Sequence, residues 1–320
     1  MLGKKAVCLL LAMCLLLGGC ASATADAART AVTLPAFSGL VGVGGKPEAD
    51  GSPYIAPPFA DASFHGETAA YPGDVQIDLT ALEEGYIGVS ARSDKRLKFQ
   101  VMKGDLTYTY DLANNGTPAI FPLQCGDGEY RFRVMENIVD SKYAELYAIY
   151  VSAVLSDENA PFLRPSQYVN YSADSDCVKK AQELAQTAGT PLGLVSKVYE
   201  YVCKSVRYDT QLAQTVKSGY LPVPDNTMKT GKGICFDYAA LSAAMLRSQG
   251  VPTKMVFGYV APDNLYHAWN MFYTEETGWV TAQFEVTADN WVRLDLTFAA
   301  NGANDKFIGD GSNYSDIYYY

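Results

Sequence analysis

The amino-acid sequence predicts an α+β protein with two modules, an antiparallel β-sandwich-like module followed by a mixed helical and β module. Three observations support this. Residues 71–155 alternate apolar and polar positions with a period of two, the period becomes helical between 176 and 205, and strand patterns return after 253. The 320 residues are enough to bury the cores of two such modules.

The first 19 residues have the pattern of a bacterial secretion signal. Lys4 and Lys5 form a positive start, and the apolar run that follows, 6–17, is too short to span a bilayer. The run ends in Leu-Gly-Gly before Cys20, which resembles a lipobox. The resemblance implies cleavage before Cys20 and attachment of diacylglycerol to its thiol, and hence a membrane-anchored protein of the cell envelope. A plain secretory signal with an incidental cysteine is the alternative.

Residues 20–70 are rich in Ala, Gly and Pro and show little periodicity, which predicts a tether that holds the protein away from the membrane. A first strand of the next module is the alternative for the last part of this segment. The formal net charge is -10, and it becomes -12 once the leader with its two lysines is removed. Because an acidic surface repels phosphate backbones, nucleic acid is not an expected partner.

Residues 71–157 are predicted to form the β-sandwich-like domain. Short alternating segments, separated by turn sequences such as Asn114-Asn115-Gly116, are typical of antiparallel sheets. The strand patterns lie at 75–79, 86–89, 97–101, 106–110, 130–134 and 143–154. The many tyrosines of this domain either form a ligand platform or simply fit a half-buried sheet.

Residues 158–320 are predicted to form the second domain. Apolar residues repeat at helical spacing in 176–188 and 192–205, and a loop is expected over 211–230. A third helix is expected from Cys235 to Gln249, because Gly250 and Pro252 follow as stop signals. Strand patterns follow at 254–260, 267–273, 278–286 and 291–296.

Four cysteines lie beyond the predicted anchor, too few for a disulfide framework: Cys125, Cys177, Cys203 and Cys235. Cys177 and Cys203 flank a helical hairpin with its turn midway between them, so antiparallel helices bring them to one level. A disulfide is therefore possible, and two buried thiols are the alternative.

Cys235 is the candidate nucleophile. It follows Gly231-Lys232-Gly233 and opens a helix, where the helix dipole favours the thiolate. The chain has two histidines, and His267 is the one in this half, which makes it the candidate base. Asp295 follows on a predicted strand and is the candidate that orients the imidazole. A buried cysteine, a sheet histidine and a strand-end carboxylate are the separate alternatives for the three residues.

Five sequence blocks between about 175 and 300 resemble the transglutaminase-like superfamily, which has a papain-like fold. They are 233–239, 246–253, Gly258-Tyr259, 267–270 and 291–298. One departure is Leu296, where the family usually has a proline after the aspartate. The resemblance implies a Cys235–His267–Asp295 triad, Tyr208 as an oxyanion donor with a packing tyrosine as alternative, and Trp269 and Trp291 as walls of the site or as core residues.

These residues imply acyl transfer or hydrolysis at an amide or peptide bond through a thioester on Cys235. The expected partner is a protein or peptide substrate at the cell surface. Neither metal-ligand spacing nor a phosphate-binding loop is present in the sequence, so no cofactor and no metal are expected. A surface binding or adhesion protein that uses the domain as a scaffold is the alternative. A cell-wall peptidase with the same Cys-then-His order is a third possibility that fits the Asp295 block less well.

Overall fold

The computed structural model describes residues 51–69, 74–261, 265–275, 278–281 and 314–320. The N-terminal module consists of antiparallel sheets, as predicted. Its strands are β1 (Val75–Asp78), β2 (Tyr86–Ala91), β3 (Leu97–Lys103), β4 (Leu106–Leu112), β5 (Ala119–Pro122), β6 (Gly128–Val139) and β7 (Lys142–Ala153). One sheet has the order β1-β2-β5 and the other β4-β3-β6-β7. The sheets pack face to face, and the rings of Phe99 and Phe121 meet between them with centroids 4.5 Å apart.

The second module begins with helices and ends in a sheet, which confirms the α+β prediction. Its first part contains α1 (Asp176–Ala185), α2 (Pro191–Ser205), β8 (Arg207–Tyr208), α3 (Thr210–Thr215), α4 (Pro224–Thr230), β9 (Lys232–Gly233) and α5 (Cys235–Arg247). The strands that follow are β10 (Thr253–Val260), β11 (Leu265–Thr274), β12 (Gly278–Thr281) and β13 (Tyr314–Tyr319). They form an antiparallel sheet in the order β12-β11-β10-β13.

The loop predicted over 211–230 is wrong in part, because it contains most of α3 and all of α4. The side chain of Asp209 accepts a hydrogen bond from the Leu212 amide at 2.8 Å and so caps α3. Pro224 occupies the first turn of α4, where its missing N–H is not needed. The two helices have six and seven residues, too few for a helical period to stand out.

The possible Cys177–Cys203 disulfide is absent: both residues are free thiols. Cys177 is fully buried near the start of α1, and its thiol hydrogen-bonds the carboxylate of Asp225. Burial and this carboxylate raise the pKa of the Cys177 thiol well above its ordinary value. Cys177 therefore behaves as a small core residue, which was the alternative reading.

The two modules share one continuous hydrophobic core. Tyr110 of β4 packs on Tyr168 with ring centroids 5.2 Å apart, and Tyr168 packs on Phe236 of α5 at 5.3 Å. Phe257 and Tyr320 complete the aromatic cluster from the C-terminal sheet. The start of α5 is thus packed, through Tyr168, against the N-terminal module.

Residues 51–69 also connect the modules. The Tyr54 amide donates to the Ala185 carbonyl at 2.8 Å, and its hydroxyl donates to the Gln249 carbonyl at 3.1 Å. Further along, the His65 amide donates to the Asp78 carboxylate at 2.7 Å. The described end of the segment predicted as a tether, 51–69, therefore packs on both modules, and residues 20–50 of that segment lie outside the described residues.

Arg247, at the end of α5, is buried with 1% exposure. Its guanidinium donates to the main-chain oxygens of Thr253 at 2.8 Å, Tyr320 at 2.9 Å and Arg164 at 3.0 Å. Burial lowers its pKa to about 10, so it remains charged at neutral pH. It joins α5 to the start of β10, to Tyr320 after β13 and to the segment between the modules.

Among the described helices, none is long and apolar enough to cross a membrane.

Replacing Arg247 with Ala should lower the free energy of unfolding by about 3 kcal/mol or more, because three main-chain oxygens lose a charged donor and the large buried side chain leaves a cavity. Arg207→Ala is the matched control, since that side chain is exposed, and it should change stability by less than about 0.5 kcal/mol. Urea unfolding of the two variants and the parent measures the difference. Equal stabilities of the two variants would show that Arg247 has no such role.

Candidate active site

Cys235 is the first residue of α5 and is half-buried. The preceding residue, Ile234, is extended, with φ -95° and ψ 176°. Gly231 ends α4 in the left-handed conformation, with φ +61°. The first amides of a helix have no partner within the helix, so Cys235 lies at the positive end of the helix dipole.

Asp237 holds the start of α5. Its Oδ2 atom accepts a hydrogen bond from the Ile234 amide at 2.8 Å, and its Oδ1 atom accepts one from the Tyr220 hydroxyl at 2.6 Å. Gly233 is required beside it, because a Cβ atom at Gly233 would lie 2.6 Å from the Asp237 Cβ. Asp237 was not among the residues predicted for the site, although an acidic residue at the third position is a known signal for the start of a helix.

The structure brings Tyr208 close to the candidate nucleophile. Strand β8 pairs in parallel with β9, so Tyr208 lies opposite Gly233, two residues before Cys235. The Asp209 amide donates to the Gly233 carbonyl at 2.8 Å and fixes this pairing. The position is compatible with an oxyanion donor, and the role itself stays a prediction.

Strand β11 packs against α5. The side-chain amide of Asn270 donates to the Ala239 carbonyl at 3.1 Å. Near the start of the helix, the rings of Phe236 and Phe257 lie 5.2 Å apart, and Phe257 pairs with Ala268 on β11. Cys235 precedes Phe236 and His267 precedes Ala268, so each candidate residue is one position away from a residue of this packed region.

His267 is buried, with 4% exposure, and pairs with Gly258 across the sheet. Side chains alternate along a strand, and those of Ala268 and Asn270 face α5. His267 and Trp269 belong to the other set, and their rings stack with centroids 6.4 Å apart. A contact between Cys235 and His267 would therefore have to form around the edge of β11. Next to His267 that edge has no neighbouring strand in the described part of the chain, because β12 pairs only with 271–274.

Trp269 packs with Val256 and Val260 in a small cluster and is 3% exposed. This favours the core alternative for Trp269 over a wall of the site. Tyr266, which the sequence predictions did not include, is a residue of β11 close enough to Cys235 for the two side chains to interact electrostatically. Burial, the neighbouring tyrosines and the Cys235 thiolate all raise the pKa of its phenol.

Three predicted positions, Cys20, Trp291 and Asp295, lie outside the described residues. The complete triad, the second tryptophan and the lipid attachment therefore stay predictions. Within the described ranges, no group of three His, Cys, Asp or Glu side chains is placed to hold a metal ion.

Comparison with known proteins identifies the domain. The family model of the transglutaminase-like superfamily matches residues 178–284, about a third of the chain. This segment is a transglutaminase-like domain. It includes Cys235, His267 and the packed pair α5 and β11.

Several solved structures are similar to the chain at low identity. A candidate cysteine protease from Cytophaga hutchinsonii has 16% identity and a TM-score of 0.34, and the match covers 71% of this chain and 77% of the chain of the protease. LapG from Legionella pneumophila has 16% identity and a TM-score of 0.29, and the match covers 44% of this chain and 76% of the LapG chain. Red sea bream transglutaminase has 12% identity and a TM-score of 0.29, and the match covers 73% of this chain and 54% of the transglutaminase chain. Comparison with curated proteins found no match.

Gly233→Ala in the transglutaminase-like domain should destabilise it by about 1–3 kcal/mol and slow alkylation of Cys235, because the new methyl group displaces Asp237. The control is Gly104→Ala in the N-terminal module, where φ is +54° and a new Cβ meets nothing within 4 Å. Strain alone should cost that variant about 1 kcal/mol, with no effect on Cys235. Unfolding curves and the Cys235 alkylation rate distinguish them, and unaltered alkylation in Gly233→Ala would contradict the expected displacement.

Proposed function

We propose that the transglutaminase-like domain is a thiol enzyme that transfers the acyl group of an amide or peptide bond through a thioester on Cys235. The observation that carries the proposal is the placement of Cys235 as the first residue of α5, the helix against which β11, the strand of His267, packs. A thiol at this end of a helix is favoured as a thiolate, and the single nearby histidine in the sequence supplies a base.

In the proposed reaction the Cys235 thiolate attacks the carbonyl carbon of the amide. The Cys235 amide, with Tyr208 as a second candidate donor, stabilises the negative oxygen. The C–N bond then breaks, protonated His267 gives its proton to the leaving amine, and a thioester remains. An incoming water or amine loses its proton to His267 and attacks the thioester, which frees Cys235. Asp295 is proposed to hold the imidazole in the required orientation.

The acceptor decides the activity. Water makes the domain a cysteine peptidase or amidase, and an amine makes it a cross-linking transglutaminase. The same three residues serve both reactions, so both are scored in the test. The second candidate, a surface binding or adhesion protein with the domain as scaffold, is supported by the large N-terminal module that shares its core.

We also propose an extracytoplasmic location, with a lipid anchor on Cys20 and a protein or peptide at the cell surface as substrate. The support is the leader sequence and the Leu-Gly-Gly-Cys pattern. Nucleic acid is not a proposed partner, because the chain is acidic.

Iodoacetamide at pH 7 should alkylate Cys235 at least about tenfold faster than Cys125 in the same molecule. Burial raises the pKa of Cys125 to about 11, so only about one in ten thousand of its thiols is ionised at pH 7. Timed labelling with mass spectrometry of the two peptides measures the ratio. Labelling of Cys125 should rise with pH until about 11, because its thiolate then becomes the major form.

Activity assays complete this test. Cys235→Ala should abolish both amine incorporation and hydrolysis, and His267→Ala should lower them by about 1,000-fold or more while Cys125 labelling stays constant. If Cys235 reacts no faster than a free model thiol, and Cys235→Ala retains the biological role, the binding-protein alternative replaces the enzyme.

Cys20→Ser should abolish incorporation of radiolabelled fatty acid and release the protein from the membrane fraction, because serine offers no thiol to acylate. Fractionation of cells that express the parent and the variant measures this. Fatty-acid labelling that survives in Cys20→Ser would rule out the anchor.

A further inference from the structure

The carboxyl group of Asp237 lies between two segments, the helix start that carries Cys235 and a loop that packs on that helix start. One is the start of α5, which it reaches through the Ile234 amide at 2.8 Å. The other is the loop 216–223 between α3 and α4, which it reaches through the Tyr220 hydroxyl at 2.6 Å. Asp237 is 1% exposed, so water does not compete for these two hydrogen bonds.

The neighbouring groups leave this carboxyl little freedom. Tyr220 packs its ring against Phe236 with centroids 6.4 Å apart, which places the hydroxyl over the helix start. Gly233 lies against the Asp237 side chain with no room for a methyl group. The carboxyl is thus held between the Tyr220 hydroxyl and the Ile234 amide.

The electrostatic surroundings of Asp237 are the Tyr220 hydroxyl, the Ile234 amide and the nearby negative charge of Asp209. Burial raises the pKa of Asp237 above its ordinary value, the two hydrogen bonds oppose this, and Asp209 adds to it. The folded protein therefore binds the proton of this carboxyl more tightly than the unfolded chain does. As the pH rises from the pKa of the unfolded chain through the higher pKa of the folded protein, the contribution of Asp237 to stability falls.

We propose that Asp237 is the positioning residue of Cys235: by joining the helix start to the loop 216–223, it fixes where the Cys235 amide and thiol point. The proposal rests on the proposed function, since it assigns a purpose to Asp237 through the reactivity of Cys235. The loop it anchors carries two partly exposed apolar side chains, Leu221 and Val223, with 37% and 43% exposure. Asp237, through Tyr220, is therefore one of the groups that hold the loop carrying these two side chains.

The test follows the pH dependence of Cys235 alkylation by iodoacetamide in the full chain. Asp237→Ala should raise the apparent pKa of Cys235 by about one unit and slow alkylation at pH 7 about tenfold, because the helix start is released. Asp237→Asn should restore most of the rate, since its oxygen can accept from Ile234 while its amide donates to Tyr220. Tyr220→Phe removes one of the two bonds and should give a shift between those of the parent and Asp237→Ala.

Asp225→Ala is the matched control. That carboxylate also accepts hydrogen bonds at a helix start, from the Cys177 amide at 2.9 Å and the Asp176 amide at 3.1 Å, but the helix is α1. It should lose about 1 kcal/mol of stability and keep the alkylation profile of the parent. A Cys235 shift in Asp225→Ala as large as that in Asp237→Ala would mean a general structural effect and would overturn the proposal.

The remaining outcomes are also decisive. A folded Asp237→Ala with the parental profile overturns the positioning role. If Asp237→Ala does not fold, Tyr220→Phe decides, and a parental profile in that variant overturns it as well. Failure of the proposed function looks different: the parent's own Cys235 then reacts no faster than a model thiol, whatever the variants do.

Discussion

The hydrogen bond between the Asp237 carboxyl and the Ile234 amide is the interaction on which the site depends. The start of a helix does not by itself hold a reactive group in one place, because the first amides have no partner within the helix and the terminal turn frays. Here the helix begins between a glycine that admits the carboxyl and an aromatic residue, Phe236, fixed in the core. A thiol on such a start has a defined direction before any substrate arrives, and preorganisation of this kind lowers the cost of reaching the transition state.

The shared core explains why this start is rigid. Phe236 contacts Tyr168, which in turn contacts Tyr110 of the N-terminal module, so the wall behind Cys235 is built by both modules. Residues 51–69 also link the two modules: Tyr54 hydrogen-bonds Gln249 of the second module, and His65 hydrogen-bonds Asp78 of the first. The N-terminal module is thus structural support for the site as well as a surface of its own.

Sequence periodicity was sufficient for the features whose causes are local. The helix from Cys235 follows from glycines before it and Gly250 after it, and the hairpin of α1 and α2 follows from the turn around Gly189. Periodicity does not reveal β5, which has only four residues and ends in a proline, or the short helices α3 and α4. Within the site, Cys235 and His267 stand out by residue type and spacing. The contact of Tyr220 with Asp237, 17 positions apart, depends on how the chain packs and has no periodic signal.

The position of β13 has a consequence for the order in which the protein is made. This strand pairs with β10, which lies far before it in the sequence, and the buried guanidinium of Arg247 donates to the main-chain oxygen of Tyr320. The sheet behind the site therefore closes only when residues 314–320 have been synthesised. Non-local pairings of this kind are slow to form, so we expect the helix that carries Cys235 to form before β13 pairs with β10. The support behind Cys235 is then complete only once that pairing has formed.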